Sequence, residues 1–592
     1  MTRLWNDPAD FADEMIAGFV AANARSVRRV PGGVVRSTAV PEGEVAVVIG
    51  GGSGHYPAFG GLVGPGLAHG AAMGNLFASP STQQIVSVAR AAHAGGGILF
   101  SYGNYAGDVL NFDEAQRRLR AEGIACETVV VTDDIASAPP ERAGERRGIA
   151  GDLTVFRAAA GAAAAGAPLA EVARVARHAN DRTRSFGVAF TGCTLPGAPA
   201  PLFTVPEGRM AVGLGIHGEP GIDETGIPSA DGLAELLVER VLAERPDDAG
   251  IEGRVVPVLN GLGSLKYEEL FVVYRRIAEL LDDAGVTIVD PHVGEYCTSF
   301  DMAGASLTLF WLDDELADLW ETPVDTPAYR RGSVDPARTI SDAATATTAA
   351  PTSDDIRTAA APAAAPADAA SRDAARTVLA AIAVTAATID RHVDELGRLD
   401  SVAGDGDHGI GMQRGATAAI AAARTAVADG AGAGSVLERA GDAWSDRAGG
   451  TSGALWGIIL RTLGARIGDT GSPTAASVAD AVAAAADAVS ASGGAQPGDK
   501  TMVDALQPFA DTLRAETSAG ADAAAAWRTA ASTATTAAAD TAELQARRGR
   551  ARTHGDHSLG TPDPGAHSLA LIVTAVADVL QDAARESERT PS

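Results

Sequence analysis

The spacing of apolar residues divides the chain into two halves. Up to about residue 331, short apolar runs alternate with alanine-rich stretches of helical spacing. This alternation is typical of sheets covered by helices and predicts an α/β half. The predicted strands are Val45–Ile49, Gly97–Phe100, Thr128–Thr132, Val188–Thr191, Val255–Leu259, Val286–Asp290 and Leu307–Leu312, and two of the predicted helices are Ser81–His93 and Leu153–Ala179.

Beyond about residue 373 only helical spacing remains. Alanine, leucine and valine recur at the spacing of one helix face, and no stretch reads as a convincing strand. The pattern predicts an all-α half of eight helices. They are Asp373–Leu396, Ala416–Ala428, Ser435–Arg447, Gly453–Ile467, Ser477–Ser490, Thr501–Glu516, Ala521–Arg547 and His567–Ala584.

A segment of different composition joins the two halves. Residues 332–372 are rich in alanine, threonine and proline and nearly lack large apolar side chains. Such a segment cannot bury enough surface to fold alone, so we expect a flexible linker. The expected domains are therefore residues 1–331 and residues 373–592, with residues 332–372 between them.

Charge and composition exclude several classes of protein. The formal net charge of −28 disfavours nucleic acid as a partner, and any site for an anion must then use metal ions or local dipoles. The three cysteines lie far apart, so neither a disulfide framework nor a zinc site is expected. The N-terminus lacks the apolar run of a signal peptide, and no apolar run predicts a membrane span. We expect a cytoplasmic protein.

Three aspartates in one loop give the strongest chemical signal of the helical half. Asp400, Asp405 and Asp407 lie in the sequence LDSVAGDGDHGIGMQRG, where glycines predict a tight loop. Carboxylates this close repel one another and repel phosphate, unless they bind hard cations such as Mg²⁺. An acidic surface loop is the alternative, and the spacing of a calcium-binding EF-hand is absent.

Three further glycine-rich turns precede helices in the same half. They are Ala448–Gly457, Pro497–Leu506 and Ser558–Ser568. Helix N-termini present free N–H groups and favour phosphate, so these turns indicate one end of a bundle that holds a nucleotide. Short helix connections that need glycine are the alternative, and Thr451 and Ser452 could be helix caps alone.

In the α/β half, three glycine-rich loops each present one titratable residue. His55 lies in GGGSGHYPAFGG, Asp108 in YGNYAGDVLNF and His217 in VGLGIHGEPG, where an acid follows two residues later. Two histidines and an aspartate on strand-end loops could form a nucleophile–acid–base set. A hydrogen-bonded loop residue is the usual role of a lone histidine and stays open for each of them.

These motifs together resemble the dihydroxyacetone kinase family. In the first half the resemblance rests on GGGSGH, NLFASPS, GNYAGDVLNF, RRGIAGD, VGLGIHGEPG and MAGASLTL, and in the second half on GDGDHG, GGTSGALWG, GDKTMVDAL and GTPDPGA. The order is that of the single-chain, ATP-dependent members. The resemblance implies a ketose-binding α/β half of two subdomains and a nucleotide-binding barrel of eight helices.

The family's chemistry assigns expected roles to the three loop residues. By resemblance, His217 attacks the ketone carbon and holds the substrate as a covalent hemiaminal. Asp108 matches the base that accepts the proton of the attacking hydroxyl, and His55 matches the residue that assists this proton transfer. The same pocket is expected to be lined by the backbone of Gly52, Ser53 and Gly54.

In the helical half, the resemblance implies sites for Mg²⁺ and ATP. Asp400, Asp405 and Asp407 match the ligands of two Mg²⁺ ions that grip the ATP phosphates. The residues matching nucleotide-contacting loops are Gly409, Ile410, Gly411, Met412, Thr451, Ser452, Gly498, Asp499, Met502, Arg550, Asp563, Pro564 and Gly565.

Departures from the family pattern bear on the substrate. Tyr56, Asn75 and Gly103 replace residues common in dihydroxyacetone kinases, and Leu259–Tyr274 resembles a branch associated with erythrulose. We therefore expect D- or L-erythrulose ahead of dihydroxyacetone. The alternatives are a lyase that forms cyclic FMN from FAD, a non-catalytic regulatory relative and a transferase that depends on a phosphoryl carrier protein. Relatives are dimers, which implies a homodimer.

Overall fold

The chain forms two compact units, Met1–Thr358 and Ala359–Ser592. The structure is a computed structural model, and it describes residues 2–219, 221–246, 249, 253–333, 367–402, 404, 406–548 and 558–589. Strands and helices alternate in the first unit, whereas the described part of the second unit is helical. The predicted fold class, an α/β half joined to an all-α half, is confirmed.

A six-stranded sheet with helices on both faces begins the first unit. Its elements are α1 (Phe11–Ala22), β1 (Val27–Val30), β2 (Gly33–Arg36), β3 (Ala46–Ser53), β4 (Gly70–Leu76), α2 (Thr82–Ala92), β5 (Ile98–Gly103), α3 (Ala106–Ala121), β6 (Cys126–Val131), α4 (Asp152–Ala164) and α5 (Leu169–Asp181). The strand order is β1-β2-β4-β3-β5-β6, and the last four of these strands run parallel. Helices α2 and α3 pack on one face, and α4 and α5 on the other. Strands β3 and β5 are therefore buried along their whole length.

A seven-stranded sheet forms the second subdomain of the same unit. Its elements are β7 (Thr183–Ala189), β8 (Arg209–Val212), β9 (Asp223–Gly226), α6 (Ala230–Leu242), β10 (Arg254–Gly261), α7 (Tyr267–Asp283), β11 (Thr287–Ile288), β12 (His292–Gly294), β13 (Gly304–Leu312) and α8 (Asp314–Trp320). The strand order is β11-β10-β13-β7-β8-β9, and β12 pairs with β10. Helices α6 and α7 cover one face of this sheet. A short hairpin of β14 (Val324–Asp325) and β15 (Arg330–Arg331) follows.

Eight helices form a closed ring in the described part of the second unit. They are α9 (Ala369–Asp400), α10 (His408–Ala428), α11 (Ala433–Ala448), α12 (Gly450–Ile467), α13 (Ala475–Gly493), α14 (Val503–Ser518), α15 (Ala523–Asp540) and α16 (Pro564–Arg589). Each helix packs on the next one in sequence, and α16 packs back on α9. The expected eight-helix barrel is therefore present.

Small side chains fill much of the core of this ring. Alanines from most of the helices are buried there beside a few large residues, among them the stacked pair Trp444 and Trp456. By length and composition alone, the segment Pro564–Arg585 of α16 could cross a membrane. Its Leu569, Ile572 and Val573 are buried in the core, as in the core helices that also pass such a test.

The structure changes some predicted boundaries. The stretch Leu153–Ala179 is two helices, α4 and α5, because Gly166 at φ +80° and the following Pro168 end the first and begin the second. Helix α15 ends at Asp540, before a 3₁₀ turn, and not at Arg547. Helix α9 begins at Ala369, four residues inside the expected linker. Most of that linker lies outside the described residues and stays a prediction.

Candidate active site

The loop after β3 carries His55 into the interior of the first unit. Strand β3 is buried throughout, and His55 itself is only 1% exposed. Gly52 permits this course, because a Cβ there would lie 2.7 Å from the backbone nitrogen of Ala78. The Ser53 hydroxyl donates to the carbonyl oxygen of Gly74 at 2.6 Å, which joins the β3 loop to β4. Gly52, Ser53 and Gly54 therefore form the backbone that leads to His55.

A tight turn after β8 carries His217. The Gly218 N–H donates to the carbonyl oxygen of Gly215 at 3.2 Å, and Gly218 has φ +83°, a conformation that favours glycine. The Ser299 hydroxyl donates to the carbonyl oxygen of Ile216 at 2.5 Å and ties the turn to the segment before β13. The histidine side chain is 9% exposed and points away from bulk water.

The two histidines from these loops meet each other. Nε2 of His55 lies 2.9 Å from Nε2 of His217, although the residues are 162 positions apart. The other ring nitrogen of His55, Nδ1, lies 2.7 Å from the carbonyl oxygen of Thr298, which can only accept a hydrogen bond. Burial first, and then the charge of His217, lowers the pKa of His55 to about 3. His55 is therefore a neutral imidazole that carries its proton on Nδ1.

An acid and aromatic rings enclose the His217 ring. Glu219 Oε1 lies 3.1 Å from Nδ1 of His217, and Glu219 Oε2 accepts the backbone N–H of His217 at 3.0 Å. The rings of Tyr105 and Phe77 meet the His217 ring edge to face, with centroids 4.5 and 5.4 Å away. These contacts leave Nε2 as the nitrogen that faces His55.

Asp108 lies in the first turn of α3, three residues after Tyr105. It is 8% exposed. Burial first, then the charge of Asp133 and then that of Asp108, raise the pKa of Asp152 well above its usual range. Because Asp152 begins α4, Asp108 lies near the start of that helix. The Tyr105 hydroxyl donates to the carbonyl oxygen of Gly148 at 2.9 Å, which connects α3 to this same region. The structure thus places Asp108 on the helix end that borders the histidine pair.

In the second unit, the predicted nucleotide loops converge on one end of the ring. Buried His408, at the start of α10, has Nδ1 3.2 Å from the Ser452 hydroxyl of α12 and Nε2 3.0 Å from the Ser568 hydroxyl of α16. A Cβ on Gly565 would lie 3.5 Å from the Cβ of Met502, which precedes α14. Four helix N-termini therefore gather where a phosphate chain would be favoured.

Acidic residues lie at the same end. The His408 N–H donates to Asp400 Oδ2 at 3.3 Å. Desolvation and the charge of Asp400 raise the pKa of Asp407, and Arg414 opposes this effect. Burial first, and then the charges of Asp504 and Asp400, raise the pKa of Asp563 to about 7.

These carboxylates fit a hard cation, because a cation bound there would relieve their repulsion with the oxygen ligands that Mg²⁺ prefers. Among the residues that the structure describes, no three acidic, histidine or cysteine side chains already form a complete metal site. Two predicted residues, Asp405 and Arg550, lie outside the described residues.

The remaining predicted nucleotide residues differ in accessibility. Ile410 is 48% exposed in the first turn of α10, whereas Met412 and Met502 are buried and pack in the core of the ring. Asp499 Oδ2 accepts the backbone N–H of Gln496 at 3.0 Å and so closes its own turn. The others lie in the first turns of helices or in the loops before them: Gly409, Gly411, Thr451, Gly498, Pro564 and Gly565.

Sequence reasoning missed several residues that shape both sites. Thr298 and Ser299 hold the histidine loops from a distant part of the chain, and no local motif marks them. Glu219 is the acid of the HGE motif, but the motif does not reveal its two hydrogen bonds to His217. Asp504 accepts the backbone N–H groups of Gly498 and Thr501 at 2.5 and 2.7 Å and fixes another nucleotide turn.

Comparison with protein families agrees with one site in each unit of the chain. A Dak1 domain model matches residues 17–328, and a DAK2 domain model matches residues 402–578. The two domains in one chain define a kinase with a Dak1 domain followed by a DAK2 domain.

Three individual relatives show which kinases this chain resembles. An L-erythrulose kinase of Pectobacterium atrosepticum is 57% identical and covers 98% of this chain and 97% of its own. A D-erythrulose kinase of Mycolicibacterium smegmatis is 53% identical, with 98% of each chain covered. The crystal structure of the C. freundii dihydroxyacetone kinase in complex with AMP-PNP and Mg²⁺ is 27% identical, covers 98% of this chain and 99% of that chain, and has a TM-score of 0.51. The chain belongs to the dihydroxyacetone kinase family.

Proposed function

We propose that the protein is an ATP-dependent kinase that phosphorylates a terminal hydroxyl of a short-chain ketose, with His217 holding the ketose as a covalent hemiaminal. It is thus a phosphotransferase with an alcohol group as acceptor, in class EC 2.7.1. The observation that carries the proposal is the distance of 2.9 Å between Nε2 of His217 and Nε2 of His55. An imidazole held this way by its other nitrogen presents Nε2 as a nucleophile, and its neighbour can relay a proton.

Each residue of the first unit has one task in this proposal. His217 bonds the ketone carbon, and His55 exchanges a proton with the oxygen that was the carbonyl. Asp108, buried at the start of α3, accepts the proton of the hydroxyl that attacks ATP. Covalent capture suits a substrate this small, because few non-covalent contacts are available to bind it.

The helical unit binds the nucleotide in this proposal. Asp400, Asp405 and Asp407 would hold Mg²⁺, which neutralises phosphate charge when it is bound. The four helix N-termini joined through His408 and Met502 orient the phosphate chain. An acidic protein can admit a polyanion only through such local sites.

Erythrulose is the proposed substrate, ahead of dihydroxyacetone. The relatives named for D- and L-erythrulose are 53% and 57% identical over nearly the whole chain. The same relatives do not favour the FAD-cyclising lyase as the main activity. A homodimer in the cytoplasm completes the proposal.

The test is a panel of D-erythrulose, L-erythrulose, dihydroxyacetone and glycerol with ATP and Mg²⁺, with products identified by mass spectrometry and NMR. The ketoses should be phosphorylated, and glycerol, which has no carbonyl, should not. His217→Ala should abolish capture, which is detected as loss of the hemiaminal signal of a ketose labelled with ¹³C at the ketone carbon. Full ketose phosphorylation by His217→Ala would refute the assignment of the nucleophile.

A further inference from the structure

The hydrogen bonds around the histidine pair determine where its protons lie. Thr298 offers His55 a carbonyl oxygen, which only accepts, so Nδ1 of His55 carries a proton. Glu219 offers Nδ1 of His217 a carboxylate oxygen at 3.1 Å. The other oxygen of Glu219 faces two donors, the His217 N–H at 3.0 Å and Nη1 of Arg147 at 3.8 Å. The guanidinium of Arg147 beside this oxygen favours the ionised carboxylate, and an ionised carboxylate can only accept, so Nδ1 of His217 carries a proton.

Two neutral rings with these protons cannot make the contact that is observed. A neutral imidazole has one N–H, so both Nε2 atoms would present lone pairs to each other at 2.9 Å. One proton between the two Nε2 atoms removes this conflict. The pair then carries one positive charge, which lies beside the carboxylate of Glu219.

We propose that Glu219 is a positioning residue for ketose capture: it fixes the proton on Nδ1 of His217 and balances a positive charge that His217 carries both before and after the substrate binds. This inference rests on the proposed function of His217 as the nucleophile. The neutral state of His55 agrees with it, since the shared proton then belongs to His217.

The proton and charge balance of the capture step follows. The proton between the rings passes to Nε2 of His55, which frees the lone pair on Nε2 of His217. That lone pair bonds the ketone carbon, the C=O π electrons move to the oxygen, and the oxygen takes the proton from Nε2 of His55 as a hydroxyl. His217 ends as an imidazolium bonded to carbon at Nε2 and to hydrogen at Nδ1. The ring is cationic at both ends of the step, so Glu219 stabilises both.

A buried network holds Glu219 in place. The side chains of Glu219 and His217 are each 9% exposed. Arg147 forms an ion pair with Asp134 at 2.7 Å and lies 3.8 Å from Glu219. The positive charge of Arg147 therefore acts on both carboxylates. The charged group that acts on His55 besides His217 is Glu219, and the groups that act on Tyr105, whose ring contacts His217, are Glu219, Arg147, Asp134 and Cys297.

The first test needs no substrate. The full chain is labelled with ¹⁵N-histidine, and the His217 nitrogens are identified by their loss in His217→Gln. In the ligand-free wild type, the ¹⁵N shifts should show a proton at both ring nitrogens of His217, and in Glu219→Gln the shift of Nδ1 should move toward that of an unprotonated nitrogen. An unprotonated nitrogen on the His217 ring of the wild type, or unchanged ¹⁵N shifts in Glu219→Gln, would overturn the proposal.

The second test measures capture of a ¹³C-labelled ketose. Glu219→Gln should weaken hemiaminal formation about tenfold to a hundredfold, the usual effect of losing one hydrogen bond to a charged group. Glu219→Asp, which keeps the charge, should recover part of the loss, and all variants should unfold at similar temperatures. Glu224→Gln removes a carboxylate from exposed β9 that pairs with Arg209, and it should capture ketose like the wild type.

The two tests separate this inference from the proposed function. If the wild type captures no ketose, the proposed function fails, and the ¹⁵N shifts still decide whether the rings share a proton. If the wild type captures ketose and Glu219→Gln captures it equally well, the role of Glu219 is wrong and His217 remains the nucleophile.

Discussion

Replacing Asp563 by asparagine should stabilise the metal-free helical unit in a pH-dependent way. Asp563 caps α16, since its Oδ2 accepts the Ala566 N–H at 2.7 Å. Asparagine caps helices as well as aspartate does, so Asp563→Asn removes a charge and keeps the cap. The charge is unfavourable there, because burial and the charges of Asp504 and Asp400 raise the pKa of Asp563 to about 7.

The sign and size of the effect follow from this pKa. In the unfolded chain the carboxyl group titrates near 3.8, so the folded protein holds the proton more tightly, and stability falls as pH rises from about 4 to about 7. The difference between the two pKa values corresponds to about 4 kcal/mol at most, and partial solvent exposure reduces this to about 2 kcal/mol. Asp563→Asn should gain this amount at pH 8 and about half of it at pH 5.5.

Hydrogen exchange of peptides from α16, measured with a chelator present, gives the free energy of local opening directly. Asp522→Asn is the matched control, because Asp522 caps α15 by accepting the Ala525 N–H at 2.9 Å and is exposed to solvent. It should change stability by less than about 0.5 kcal/mol at either pH. Equal effects of the two substitutions, or a pH-independent loss in Asp563→Asn, would refute the electrostatic reasoning.

Three further predictions concern the core, the His55 loop and the two substrates. Arg157 is fully buried and donates to the carbonyl oxygens of Trp320 at 2.6 Å and Thr322 at 2.9 Å. Arg157→Met should therefore lower the free energy of unfolding in urea by about 3 kcal/mol. The control Arg174→Met, at an exposed position, should lower it by less than about 1 kcal/mol. Gly52→Ala should lower the free energy of unfolding by about 1–3 kcal/mol and reduce ketose phosphorylation, because the new Cβ moves the His55 loop. Gly18→Ala in α1 has open space around its new Cβ and should raise the free energy of thermal unfolding by up to about 1 kcal/mol. Chelating Mg²⁺ should abolish ATP binding in calorimetry and leave ¹³C-detected ketose capture intact, because the proposed metal ligands belong to the nucleotide site and the proposed capture step uses only His217 and His55. A parallel loss of both would contradict separate sites.

Local sequence patterns were sufficient for the fold class and most helices. The eight helices of the ring could be predicted because alanine-rich helical spacing is interrupted by glycine turns. Strands β1, β2, β4, β8, β9, β12, β14 and β15 were not predicted. Most of them have only two to four residues, and β4 consists mainly of glycine and alanine, so none carries a clear strand pattern. The break between α4 and α5 was overlooked because alanine continues on both sides of Gly166 and Pro168.

The site could be predicted only where its residues lie in motifs. His55 and His217 stand in glycine-rich loops, and the structure brings them into contact; Asp108, also expected in a loop, lies in the first turn of α3. Thr298 lies 243 positions from His55, and its contribution is a backbone carbonyl that any residue could supply. The contacts of buried His408 leave no mark in the local sequence, because its partners, Ser452 and Ser568, lie on other helices. Long-range contacts of this kind leave no local pattern in a single sequence.

The contact between His55 and His217 joins two sheets that fold from separate stretches of chain. His55 follows a strand of the six-stranded sheet, and His217 follows a strand of the seven-stranded sheet. A ribosome-bound or proteolysed chain that has formed only the first sheet therefore has no assembled nucleophile. Covalent capture as proposed for His217 therefore requires both sheets to be folded and packed together, because neither loop alone places the two imidazoles in contact.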